Sequence, residues 1–188
     1  MIWEKAKKDK IAFDYGLLFK NGELTDQEQL GITKGGGEFS LKANFRDIPA
    51  DGLKGKTKGM RMIDGIDAAI KCDIMNASMS VLAMAMPYAK TTVVSDEITE
   101  ITIDKDCLGI VSDEGYFDNL MLVAKTLEGK YVKIKINEVM NDSEFTFSAK
   151  PKEEGVISLE LSAHWDDEDE AKELCKITYV DALPVAAA

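Results

Sequence analysis

Over residues 38–45 apolar and polar side chains alternate without a break. Phe39, Leu41, Ala43 and Phe45 fall on one side, and Glu38, Ser40, Lys42 and Asn44 on the other. Successive side chains of a strand point to opposite faces, so this pattern predicts a strand half-buried against a core. The alternation resumes at Met60, Met62, Ile66, Ala68, Ile70, Cys72 and Ile74, broken only by Asp64. Between the two runs lies Asp47-Ile48-Pro49-Ala50-Asp51-Gly52-Leu53-Lys54-Gly55-Lys56-Thr57-Lys58-Gly59, rich in Gly and Lys. This connection is far too long for a tight hairpin turn. Two long strands, near 38–46 and 60–74, joined by an extended loop therefore dominate any fold the chain adopts.

One short helix is expected over about 78–86. Ser78 is placed to cap it, Met79, Leu82 and Met86 share one face, and Pro87 stops it. Further strands are expected at 100–103, 120–124, 131–136, 144–148, 156–165 and 174–180. In two of them the alternation is again strict: Val132, Ile134 and Ile136 between lysines, and Ile157, Leu159, Leu161, Ala163 and Trp165 between polar residues. Short strands separated by turn signals indicate a sandwich or barrel. The fold class is thus mainly β with one flanking α-helix. The body spans 36–181, residues 1–35 form an N-terminal arm and first strand, and 182–188 form a C-terminal tail. No tandem repeat and no second domain is visible in the 188 residues.

Charge is unevenly spread. Residues 1–60 hold 11 Lys/Arg and 9 Asp/Glu, a net +2, whereas 61–188 hold 12 and 25, a net −13. An acidic body repels phosphates and will not coat DNA. The opening Met1-Ile2-Trp3-Glu4-Lys5-Ala6-Lys7-Lys8 carries charge where a secretory signal has its apolar stretch. No run approaches the roughly 18 apolar residues of a membrane span, so synthesis and folding in a cytoplasm are expected. Cys72, Cys107 and Cys175 are odd in number and far apart. They read as buried small hydrophobes, with neither a disulfide framework nor a zinc site.

Several short patterns imitate chemistry. Ala50-Asp51-Gly52-Leu53-Lys54-Gly55-Lys56-Thr57 satisfies a relaxed phosphate-loop spelling, but such a loop must open a helix, and the residues after it alternate with strand period. Asp104-Lys105-Asp106 starts like a calcium loop, yet Leu108 and Gly115 occupy positions where ligands are needed, so a turn is expected. The acidic run 166–170 reads as a solvated loop. His164 is the only histidine and sits at a polar strand position beside Trp165, which suggests a surface residue. The methionines (Met60, Met62, Met79, Met84, Met86) suit core gaps or a subunit interface. With one histidine and no nucleophile elbow, no catalytic residue, metal site or cofactor is assigned, and an enzyme is not expected.

What remains is the segment 35–89: Gly-Gly-Gly-Glu-Phe-Ser-Leu-Lys-Ala-Asn-Phe-Arg-Asp-Ile, then Pro-Ala-Asp-Gly-Leu-Lys-Gly-Lys-Thr-Lys-Gly, then a long alternating strand and a Met-rich helix near Ala85-Met86-Pro87-Tyr88-Ala89. It resembles the tail tube (major tail) proteins of long-tailed bacteriophages. The layout matches over roughly 12–165 and the motifs over about 35–90. The resemblance implies a β-sandwich or barrel with a long inter-strand loop and terminal arms, assembled into hexameric rings that stack into a hollow tube. It implies a virion protein made in the host cytoplasm. Its partners would be further copies of itself, a tape measure protein, and tail terminator and distal tail proteins, with no membrane. DNA would pass through the lumen without specific binding.

By that resemblance Asp47, Ile48, Pro49, Asp51, Gly52, Leu53, Lys54, Gly55, Lys56, Thr57, Lys58 and Gly59 form the loop that contacts neighbouring subunits and the next ring. The candidate lumen-facing residues are Glu38, Lys42, Asn44, Arg61, Asp67, Lys71 and Asp73. Electrostatics fits: a lumen lined by acids lets DNA slide, and a basic loop beside an acidic body suits head-to-tail contacts. Two other readings stay open: an inner-tube subunit of a contractile bacteriocin or secretion machine, and a monomeric ligand-binding β-sandwich.

Overall fold

The computed structural model describes residues 12–31, 33–49, 51–52, 55–75, 78–95, 98–148, 155–166, 169 and 171–181. Eleven strands and one helix lie among them. The strands are β1 Ala12–Lys20, β2 Glu28–Gln29, β3 Thr33–Asp47, β4 Arg61–Ile74, β5 Lys90–Ser95, β6 Ile98–Thr102, β7 Phe117–Thr126, β8 Tyr131–Asn141, β9 Phe147–Ser148, β10 Val156–Ala163 and β11 Cys175–Val180. The helix, α1, is Met79–Ala85, and 3-10 turns occupy Lys105–Cys107 and Asp113–Gly115. The chain is mainly β with one helix, and every strand pairing is antiparallel.

Nine strands form one sheet in the order β2-β1-β7-β8-β10-β4-β3, with β11 added to β8 and β9 to β10; β5 and β6 form a separate hairpin. The sheet turns a corner at β8. Its first part, from Tyr131 to Ile136, pairs with β11, whereas Val139, Met140 and Asn141 pair with β10. Glu138 lies between the two pairings with a φ of 46°. That left-handed conformation is unfavourable for a residue with a Cβ and survives only where its surroundings hold it. Here the His164 backbone N–H donates to the Glu138 carbonyl at 2.9 Å, and Lys172 pairs with the Glu138 carboxylate.

The curled sheet brings its β3 edge back against β1. Thr33 Oγ1 donates to the Gly16 carbonyl at 3.5 Å. A Cβ at Gly16 would sit 3.1 Å from Leu122 Cδ1, and one at Gly37 only 3.0 Å from the same atom. Glycine on both sides of Leu122 is what lets the seam approach. Inside lies a core of Leu18, Ile70, Ile74, Leu120, Ile136, Val139, Ile157 and Leu161, all essentially inaccessible to solvent.

The helix is fixed at both ends. Ser78 Oγ accepts from Val81 N at 3.4 Å, and Asn141 Nδ2 donates to the Ala85 carbonyl at 2.9 Å from inside the barrel wall. The same Asn141 accepts from Glu160 N and Ser143 Oγ, so one buried amide ties α1, β8 and β10 together. Val81, Met84 and Ala85 face the core.

The first strand expected within residues 1–35 is Ala12–Lys20, set between β2 and β7 although the sequence there shows little alternation, and three other expectations change. Leu18 is fully buried while Leu17 and Phe19 are half-buried on the opposite side, and a strand covered on both faces has no period-2 signature. An arm can then lie only before residue 12, and it and the 182–188 tail fall outside the described residues. Of the cysteines only Cys72 is buried, its thiol pushed up to about 12 by desolvation; Cys107 and Cys175 are half-exposed. His164 is half-buried rather than a surface residue, with Nδ1 3.0 Å from the Glu138 carbonyl and its ring edge-on to Tyr116 at 5.1 Å. The 144–148 strand shrinks to Phe147–Ser148, and β5 is a strand not expected from the sequence, its exposed Lys90-Thr91-Thr92-Val93-Val94-Ser95 run being β-branched but without alternation.

Candidate assembly surface

Strands β3 and β4 pair along nearly their whole length, from Gly37 opposite Cys72 to Asp47 opposite Arg61. The core covers only one end of this ribbon. Ile70, Cys72 and Ile74 are buried, but Leu41, Phe45, Met62 and Ile63 are 52%, 52%, 46% and 56% exposed. Ile66, opposite Ala43, is the outermost side chain of the ribbon that packs on the core, so at about 3.3 Å per residue the part beyond Ala43 projects roughly 13 Å. That outer part of the hairpin is largely uncovered by the described residues.

Its two faces differ in chemistry. On one, Phe39, Leu41, Ala43 and Phe45 stand opposite Ile70, Ala68, Ile66 and Ile63, so an apolar stripe runs from the core out into solvent. On the other, Glu38 stands opposite Lys71 and Lys42 opposite Asp67, with Asn44 Nδ2 donating to Asp67 at 2.9 Å. The polar face continues onto β10. Lys71 bridges Glu160 at 3.0 Å, and Ser158 Oγ donates to Asp73 at 2.6 Å. Glu38, Asp64, Asp67, Asp73 and Glu160 outnumber Lys42, Arg46 and Lys71, so this face is net acidic. Six of the seven candidate lumen residues (Glu38, Lys42, Asn44, Asp67, Lys71, Asp73) share it.

Arg61 does not. The register shifts between Asn44 opposite Gly65 and Phe45 opposite Ile63, a bulge that turns the outer part of β4 over. Arg61 therefore lies on the apolar face, 3.0 Å from Asp47 and with its guanidinium 4.4 Å from the Phe45 ring centroid. Arg46, at the same level on the polar face, pairs with Asp64 at 2.8 Å. The break at Asp64 in the sequence alternation marks this bulge. Alternation counted straight through it puts Arg61 on the wrong side.

The loop closes the hairpin tip. Ile48 N donates to the Met60 carbonyl at 2.8 Å and Met60 N to the Thr57 carbonyl at 3.1 Å, which extends the ladder one step beyond Asp47. Gly52, Gly55 and Gly59 have φ of 88°, 82° and 85°, left-handed values that no β-branched residue would hold here without strain. Pro49, Asp51, Lys56 and Lys58 are exposed; Leu53 and Lys54 fall outside the described residues. The loop is followed by a strand, not a helix, so its Gly-Lys-Thr lacks the helix terminus that phosphate binding needs.

A second apolar surface, uncovered among the described residues, lies beside α1. Met79, Leu82 and Met86, the face predicted from sequence to group together, are less buried than Val81, Met84 and Ala85, and Leu82 packs in part on the core. With Ile101, Phe145 and Phe147 they line an open groove of about 340 Å³. Elsewhere, the Asp104 and Asp106 carboxylates close on Lys90 Nζ at 3.0 and 3.1 Å, which raises the lysine pKa. That ammonium stands where a calcium-loop reading would want a cation. Among the described residues no cluster of three or more His, Cys, Asp or Glu is placed to hold a metal ion, and no helix is long and apolar enough to cross a membrane.

No protein-family model and no curated protein matches the chain. Among solved structures, the chain is similar to one described as the virion of a native gene transfer agent (GTA) particle, with a TM-score of 0.43 and 12% identity. That likeness covers 86% of this chain and 95% of the other.

Proposed function

We propose that this chain is a structural subunit of a phage tail tube, forming hexameric rings that stack around a channel. The observation that carries the reading is the β3–β4 hairpin, a ribbon with an acid-rich polar face and an exposed apolar stripe. A ribbon of this kind is incomplete alone, because unpaired edges and bare apolar surface favour association. Side by side in a ring, such ribbons would pair along their edges and turn their polar faces inward, leaving the stripes for contact with further copies. Burying the exposed parts of Leu41, Phe45 and Ile63 would contribute roughly 1 kcal/mol each per copy. An inward acidic face would repel the phosphates of passing DNA and let it slide.

The resemblance over 35–90 supports the same reading, and it brings the tape measure, terminator and distal tail proteins as partners. Localisation would be the virion tail, and the role structural rather than catalytic. Light scattering on the purified protein tests this. A mass of six copies, growing to larger multiples as concentration rises, is expected. A single-copy mass at every accessible concentration would overturn the proposal.

A further inference from the structure

We infer that the apolar groove beside α1 receives the exposed apolar stripe of another copy's β3–β4 hairpin, joining copies head to tail. The inference rests on the tube reading above and names the contact that holds one layer on the next.

Strand register places the two surfaces at opposite ends of the molecule. β4 begins at the hairpin tip with Arg61 and ends in the core at Ile74. Ile74 pairs with Ile157, which pairs in turn with Phe147 on the rim of the groove, and α1 follows β4 in the chain. A strand of 14 residues separates its ends by about 40 Å, so a copy's own hairpin cannot fill its own groove. Two complementary surfaces at opposite ends make a heterologous contact, and repetition of such a contact builds an open stack.

The occupant follows from chemistry as well as placement. The groove is lined by Met79, Leu82, Met86, Ile101, Phe145 and Phe147, with Met79 37% and Phe147 55% exposed. Methionine and phenylalanine side chains of this kind adapt to large apolar guests, and the hairpin offers Leu41, Phe45 and Ile63. Charge agrees. Residues 44–64 carry five Lys/Arg against three Asp. The segments 78–86, 98–102 and 142–147 carry Glu100, Asp142 and Glu144 and no Lys or Arg, and Glu28 joins them through its bond to Ser80 Oγ at 2.8 Å. A basic hairpin therefore meets an acidic surround, which steers the encounter and fixes its direction.

Two single variants test the pairing, Phe45→Glu on the hairpin and Phe147→Glu in the groove. Both side chains are more than half exposed, so each variant should unfold at the parent's temperature. Each should need about tenfold or more protein before elongation is seen. Mixed after separate purification, each supplies the surface the other lacks. The mixture should give a discrete two-layer complex that does not grow. Met79→Glu repeats the groove arm if Phe147→Glu fails to fold. Parent-like elongation by the groove variants, or a mixture that stays unpaired, overturns the inference. If the parent makes tubes and the groove variants make them equally well, only the groove assignment fails. If the parent makes neither rings nor tubes, the tube reading fails with it.

Discussion

Deleting residues 53–58 should abolish polymerisation while leaving the unfolding free energy within about 0.5 kcal/mol of the parent. The two halves of that outcome have separate causes. The hairpin is closed by the bond from Ile48 N to the Met60 carbonyl, which the deletion keeps, and the residues left between form a loop of ordinary hairpin length. Counted from the tip, every side chain of these two strands that packs on the core lies beyond Leu41 on β3 and at or beyond Ile66 on β4. The deletion removes Lys54, Lys56 and Lys58, and with them most of the positive charge at the tip. It also shortens the reach of the loop toward a neighbour. Urea unfolding and sedimentation on the same sample check both halves. Normal polymerisation by the shortened protein would show that the loop is not an assembly element.

The opposite separation is expected of Leu161→Ala. Leu161 is fully buried on β10, opposite Ile70 on one side and Asn141 on the other, at the junction where the sheet passes from β8 to β4. Truncating it leaves a cavity between strands that cannot collapse without breaking two ladders. A loss of about 3 kcal/mol is expected. The urea midpoint should fall with an unchanged slope, since the same surface is exposed on unfolding. Below that midpoint the variant should still assemble, because no assembly surface is touched. A loss under about 1 kcal/mol would contradict the packing described for this junction.

Particular elements show why some of this was legible in the sequence and some was not. The β3–β4 ribbon was legible because it is covered on one face, and one-sided burial writes itself as alternation. Helix α1 was legible from Ser78 and Pro87, since capping and termination are local. The place of strand β1 within residues 1–35 was not, because Leu18 is buried on one side while Leu17 and Phe19 are half-buried on the other, which erases the period. The position of Arg61 was missed for a different reason. A bulge inserts one residue and reverses every face beyond it, and Asp64 signalled the break without revealing its direction. The groove beside α1 was half-legible. The grouping of Met79, Leu82 and Met86 was visible, whereas Val81, Met84 and Ala85 are the residues buried against the core. A short helix apolar on both faces does not say which face is inward. That the stripe on the hairpin ends in solvent required the tertiary fold, because the alternation is the same over buried and exposed turns of the ribbon.

The central claim is that the β3–β4 hairpin completes itself only against other copies, in rings that stack around a channel. Electron microscopy of the purified protein at high concentration tests it most directly. Rings with a central hole, and hollow tubes built from them, are the expected images. A field of uniform single-copy particles at the same concentration would contradict it.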